Sequence, residues 1–219
     1  MSINPSHRLF SLLTEATTNM ADFSKSISDI KREQETFKSM SCTELLAYLD
    51  HNWDTLPDGQ RAYLTFLMAG KGCREAVPYL LRQVESDDPF HRWRALSGLA
   101  DLGCQEHHQV FVDFHLNDPS EDVRRKALVN LCHVFRGECD TEILQLALAA
   151  WDDPASSVGM RLAAGAVMMY QLNVPHDERG GPGWWNEERE DLQHPSILQA
   201  VEETRRLLAQ EAPVDPSVV

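Results

Sequence analysis

The chain has 219 residues, 42% of them hydrophobic and 25% charged, with a formal net charge of −14. No apolar run approaches the roughly 20 residues that a helix needs to cross a bilayer, and 34 acidic against 20 basic residues disfavour nucleic acid and anionic lipid as partners. A chain of this length can bury a substantial core as one continuous domain, and its charge is lopsided, with 13 of the acids and only 5 of the bases in residues 141–219.

Residues 1–40 carry an apolar seam of Leu9, Leu13, Ala16, Met20, Phe23, Ile27, Ile30 and Phe37 at alternating spacings of 4 and 3, with Gln34 in the one vacant slot. Such a seam either packs as one or two capping helices on the neighbouring part of the chain or pairs with a second copy as a coiled coil. The cap is favoured. Ala, Phe and Gln are poor coiled-coil core residues, and Thr17-Thr18-Asn19 interrupts a single long helix. Residues 1–5 lead directly into this amphipathic stretch rather than into a basic segment and an apolar block, so the cytoplasm is the expected location.

Residues 41–172 repeat. The blocks Gln60 to Leu64, Arg92 to Leu96, Arg124 to Leu128 and Gly159 to Ala163 end at positions 32, 32 and 35 residues apart. Leu67, Leu99, Leu131 and Ala166 follow three residues later in each, the i, i+3 pairing of a buried helical face. Asp88-Pro89, Asp118-Pro119 and Asp153-Pro154 stand ahead of the last three blocks. Asp can cap a helix and Pro suits its first turn, so each pair is expected to start the second helix of a unit. Cys42, Cys73, Cys104 and Cys139 recur at 31, 31 and 35 residues, with Glu44, Glu75, Glu106 and Glu142 close behind, as suits the start of a first helix. Ser41 and Glu44 read as a capping box. Packed helix axes lie roughly 8–10 Å apart, whereas a disulfide needs Cα atoms within about 7 Å, so the cysteine ladder is expected to stay reduced. Four ligands one repeat apart do not converge on a zinc ion.

These units resemble HEAT-like repeats of the kind that includes the phycobilisome-lyase type. The resemblance rests on Ala76-Val77-Pro78-Tyr79-Leu80-Leu81, Asp87-Asp88-Pro89, Arg92 to Gly103, Asn117-Asp118-Pro119 and Val123-Arg124. It implies an all-α fold: an α-solenoid of about four helical pairs over 41–172, with a capping region at 1–40 and a last capping helix with a tail at 195–219. The departures are the missing Asp-Pro pair in the first unit, His91-Arg92 in the second and Val158-Gly159 in the fourth. Gly159 stands where the resemblance calls for Arg, which interrupts any Asp–Arg ladder there.

Residues 173–194 lack helical periodicity and contain Gly180-Gly181-Pro182-Gly183-Trp184-Trp185, followed by Glu187, Glu188, Glu190 and Asp191. A long irregular segment in a compact protein is often functional. The tryptophans with their acidic rim read either as a partner anchor or as a pin for the last helix.

Chemical motifs are sparse. No Walker-type loop, Gly-x-Ser-x-Gly elbow or His-Glu-x-x-His appears, so no catalytic residue, metal or cofactor is assigned. HEAT-like di-iron hydroxylases carry His-Glu dipeptides, which this chain lacks. His91, His107, His108, His115 and His133 are expected to be surface or interface residues. HEAT-like DNA glycosylases use a basic face, and Arg92, Arg94, Arg124, Arg125 and Lys126 do form a local basic patch. In an acidic chain these cations are expected to pair with Asp87, Asp88, Asp101, Asp118, Glu121 and Asp122. The resulting expectation is a non-catalytic module that binds one protein with a basic surface through Arg92, Arg124, Arg125 and the Trp184-Trp185 segment. An immunity-type inhibitor of a toxin or effector is the leading form and an adaptor or assembly chaperone the alternative. A glycosylase-type or metal-dependent enzyme is less favoured.

Overall fold

The computed structural model describes residues 27–175 and 192–211. All regular structure among them is helical: α1 (Ile27–Ser39), α2 (Cys42–Asn52), α3 (Asp58–Gly70), α4 (Val77–Gln83), α5 (Pro89–Asp101), α6 (His108–Asn117), α7 (Glu121–Val134), α8 (Thr141–Asp152), α9 (Val158–Gln171) and α10 (Pro195–Glu211). Single 3-10 turns, Arg74–Ala76 and Gln105–His107, lead into α4 and α6. The pairs α2–α3, α4–α5, α6–α7 and α8–α9 are the four units of an α-solenoid, capped by α1 and α10.

Local signals set the helix starts. At α2 the expected capping box is complete: the Ser41 hydroxyl accepts from Glu44 N, and the Glu44 carboxylate accepts from Ser41 N at 2.7 Å. That donation, with the Ser41 hydroxyl, holds the Glu44 carboxyl below its ordinary pKa. Asp140 accepts from Ile143 N at the head of α8, and Ser157 from Met160 N at the head of α9.

Packing then orders the units. The second helices α3, α5, α7 and α9 lie side by side as one layer, and each first helix packs on its own partner. Leu64, Leu96, Leu128 and Ala163, the ends of the repeated blocks, are all buried in the seams of this layer. Gly98 marks a close crossing: a Cβ there would stand 2.8 Å from Leu80 Cδ2 and 3.2 Å from Ala69 Cβ. At the C-terminal end Ile197 of α10 fills the gap over Gly165, where a Cβ would come within 2.7 Å of Ile197 Cγ2. At the other end Phe37 of α1 is buried, its ring 5.1 Å from that of Tyr48. This is how a cap packs. The seam residues Leu9 to Phe23 lie outside the described residues.

Three expectations need correction. Only Asp88 caps a second helix; Asp118 and Asp153 end first helices, while Ser120 and Ser157 hold the N-cap positions of α7 and α9. What the three Asp-Pro pairs share is an Asx turn, in which the carboxylate accepts from the backbone N–H two residues on (Phe90, Ser120 and Ala155, each at 2.8 Å).

The cysteines do not all remain thiols: Cys42 and Cys73 form a disulfide with their Cα atoms 5.7 Å apart. Axis spacing is the wrong criterion at this place, because both residues sit at helix starts, where two facing chain ends approach more closely than the helix axes. Cys104 and Cys132 are buried thiols and Cys139 an exposed one. Cys139 adopts a left-handed conformation, φ 53°, which breaks the register of the ladder.

The basic patch is only partly ion-paired. Arg92 and Arg125 meet Asp118 and Asp122, whereas Arg94 and Lys126 make no ion pair among the described residues. The wider interval before the fourth unit arises in the longer α8 and in the link 153–157.

Candidate partner-binding face

The residue two positions before each repeated core residue faces the same way in every unit. These positions hold Ala62, Arg94, Lys126 and Arg161. The second-helix layer therefore carries a cation in three consecutive units, and aromatic side chains receive two of them. The Arg94 guanidinium lies between two rings, its Cζ 5.5 Å from the centroid of Phe66 and 4.7 Å from that of Phe90. Lys126 Nζ stands 4.7 Å from the Trp93 ring. Phe90 and Trp93 are parallel within 4°. Further along, Arg136 Cζ is 5.0 Å from the Tyr170 ring. Ring faces attract cations through their quadrupole, which holds these long side chains in place without neutralising them.

The electrostatics follow from that arrangement. Burial pushes the Arg94 guanidinium below its ordinary pKa, with the nearby Tyr63 opposing. Burial likewise lowers Lys126, and the more distant Asp101 pulls the other way. His133 is lowered by burial and then by Lys126 and Arg136. Arg161 donates to Asp153 O at 3.1 Å, but its buried Nε has no partner among the described residues. Arg94 and Lys126 are thus partly desolvated cations with no ion pair among the described residues.

The cations singled out by sequence sit differently. Arg92 is buried and turned inward: Nε and Nη2 donate to Asp118 at 2.7 and 2.9 Å, and Nη1 donates to the carbonyls of Ser86 and Asp87 at 2.9 Å each. Arg124 donates to Asp118 O at 2.8 Å and Arg125 to Asp122 at 3.1 Å. Trp184, Trp185, Glu187, Glu188, Glu190 and Asp191 lie outside the described residues. The strip of Arg94, Lys126 and Arg161 was not anticipated as a site, although the repeated block already placed the three in register.

A second feature among the described residues is a small cleft. A cleft of ≈ 190 Å³ is lined by residues that include His108, Phe135, Glu142 and Ile143. It is smaller than the roughly 300 Å³ at which ligand pockets begin, and His108 Nε2 lies 3.8 Å from Glu142. His115, expected at the surface, is buried, with Nδ1 3.1 Å from Arg124 O. No group of three or more His, Cys, Asp or Glu among the described residues could hold a metal ion. No helix among them is long and apolar enough to cross a membrane.

A family model described as HEAT repeats matches residues 43–132, which run from α2 to α7. That stretch is similar to an array of HEAT repeats. The α8–α9 pair continues its packing beyond the matched residues. Comparisons with curated proteins and with solved structures return no match. The match is to HEAT repeats at large and does not single out the phycobilisome-lyase type.

Proposed function

We propose that the chain is a non-catalytic protein-binding HEAT module that receives its partner on the second-helix face. One observation carries this reading: aromatic rings and cations without an ion pair among the described residues stand on adjacent helices, on a backbone held by a continuous core. Aromatic residues and Arg are the types enriched where proteins bind one another. Within this class the chain acts as an immunity-type inhibitor that covers a toxin or effector. The net charge of −14 supports that form, since an acidic exterior speeds encounter with a basic protein. The adaptor or assembly-chaperone reading shares the face and differs in what happens to the partner. The finer likeness to phycobilisome-lyase repeats concerns the helical pairs and brings no activity with it. The Cys42–Cys73 disulfide supports an oxidising compartment over the cytoplasm.

The test is co-purification on the tagged full chain, comparing wild type with a Trp93→Ala, Arg94→Ala variant of unchanged circular dichroism. One basic protein is expected at equal stoichiometry with wild type and lost with the variant. Retention by both removes the face from the proposal. Loss of the captured protein's activity in the complex marks an inhibitor; full activity marks an adaptor.

A further inference from the structure

We infer that the segment of the protein partner seated on this strip is acidic and extended, with a carboxylate at every third residue and apolar side chains between. The inference rests on the protein-binding reading above and adds the chemistry of what is bound.

Spacing supplies the first argument. Arg94, Lys126 and Arg161 hold one register position on α5, α7 and α9. Neighbouring helices in a packed layer lie roughly 8–10 Å apart, so the cations recur at about that interval. An extended chain with three residues per turn and a rise of about 3.1 Å brings every third side chain to one face at about 9 Å. One acid then meets one cation per HEAT unit.

Unmet valence supplies the second. Arg94 and Lys126 have neither a hydrogen bond nor an ion pair among the described residues, and their nitrogens are absent from the sealed, unpartnered polar atoms of the chain. The heads therefore reach solvent. The rings of Phe66 and Phe90 flank Arg94, whose N–H groups make no hydrogen bond among the described residues; a guanidinium grips a carboxylate through such an N–H edge in a bidentate pair. The ionisable groups facing the strip are Tyr63 from α3, Asp101 from α5, and His133 and Arg136 at the end of α7. Asp101 is the one carboxylate that these electrostatics bring to bear on Lys126, and it stands outside ion-pair distance. The half-buried rings of Phe90 and Trp93, which hold Arg94 and Lys126, offer apolar contact beside the cations.

Overall charge argues against a polyanion. A nucleic acid would bring a phosphate at every step into the field of a chain at −14, with three cations to neutralise it. A short acidic segment brings two or three charges, each onto a matched cation.

Random 12-residue peptides displayed on phage and selected on the full wild-type chain test this. Enrichment of Asp and Glu at three-residue intervals is expected. Each charge-assisted contact is worth about tenfold or more, so the selected peptides should bind R94A/K126A about 100-fold more weakly, and the single variants R94Q and K126Q about tenfold more weakly. The charge-conserving R94K/K126R should keep most of the affinity. Circular dichroism of each variant separates loss of the strip from loss of the fold, and the single variants stand in if the double one unfolds. Selection without acidic enrichment, binding indifferent to Arg94 and Lys126, or loss in R94K/K126R as deep as in R94A/K126A overturns the inference. So does a 20-mer of oligo-dT that displaces the peptides from the strip. Capture of the native partner through Trp93 and Arg94 with no acidic peptide selected would overturn the acidic segment alone and leave the protein-binding reading in place.

Discussion

Arg92→Ala removes a buried cation that ties the second helical pair, α4–α5, to the third, α6–α7. The Arg92 side chain is 10% exposed and that of Asp118 1%, so solvent screens the pair little. Truncation deletes four hydrogen bonds, two to Asp118 and two to the carbonyls of Ser86 and Asp87. It leaves Asp118 buried with Ser120 N as its remaining donor. Breaking a buried ion pair from one side costs about 3–5 kcal/mol. Four hydrogen bonds at about 1 kcal/mol each arrive at the same range. For a chain of this size the melting midpoint should fall by roughly 6–20 °C. Urea denaturation of wild type, R92A, D118A and R92A/D118A measures it as a cycle, and a coupling of roughly 1.5–3 kcal/mol is expected because the double variant no longer buries a lone charge. Well below its midpoint R92A should still bind the partner, since Arg92 faces inward. A loss under about 1 kcal/mol, or additive single variants, would refute the assignment of Arg92 to the tie between units.

Other consequences are open to the same methods. Gly98→Ala places a Cβ 2.8 Å from Leu80 Cδ2 and should destabilise by about 1–3 kcal/mol through overpacking; wild-type stability in G98A would show the crossing to be loose. The Cys42–Cys73 link closes a separation of 31 residues, which chain entropy makes worth about 3.7 kcal/mol. Urea midpoints with and without a reductant should therefore differ for wild type and coincide for C42S/C73S, and identical midpoints for wild type in both conditions would deny the link. His115 has its pKa lowered by burial, against the pull of its bond to Arg124 O. Its neutral form is the one the fold prefers, so its contribution is intact above the unfolded value near 6.5 and is lost as pH falls through the lower folded value. Stability measured from pH 7.5 down to 5 should fall less steeply in H115Q than in wild type. Parallel curves would assign the pH dependence elsewhere.

Much of the fold was legible because a solenoid writes its core once per unit. The position of Leu64 recurs at Leu96, Leu128 and Ala163, and all four are buried. The capping box at Ser41 and Glu44 was equally local. What escaped depended on three-dimensional convergence. Asp118 looked like a helix start, yet Arg92, 26 residues away, draws its carboxylate inward, and the helix begins at Glu121. The Cys42–Cys73 contact depends on how two helix starts face each other, which a mean axis spacing does not describe. The face itself was half legible. Arg94 and Lys126 stood in register with Arg161, but in an acidic chain Arg94 and Lys126 were expected to find carboxylates. Phe66, Phe90 and Trp93 took up two of them because ring faces, rather than acids, lie at the crossings of α3, α5 and α7.

Hydrogen exchange on the complex with the captured partner tests the central claim most directly. If the second-helix face receives the partner, binding should slow exchange in α5 and α7, around Phe90 to Ser97 and Arg125 to Val129, while the exposed sides of α6 and α8 exchange as in the free chain. Protection confined to the first helices, with α5 and α7 unchanged, would contradict it.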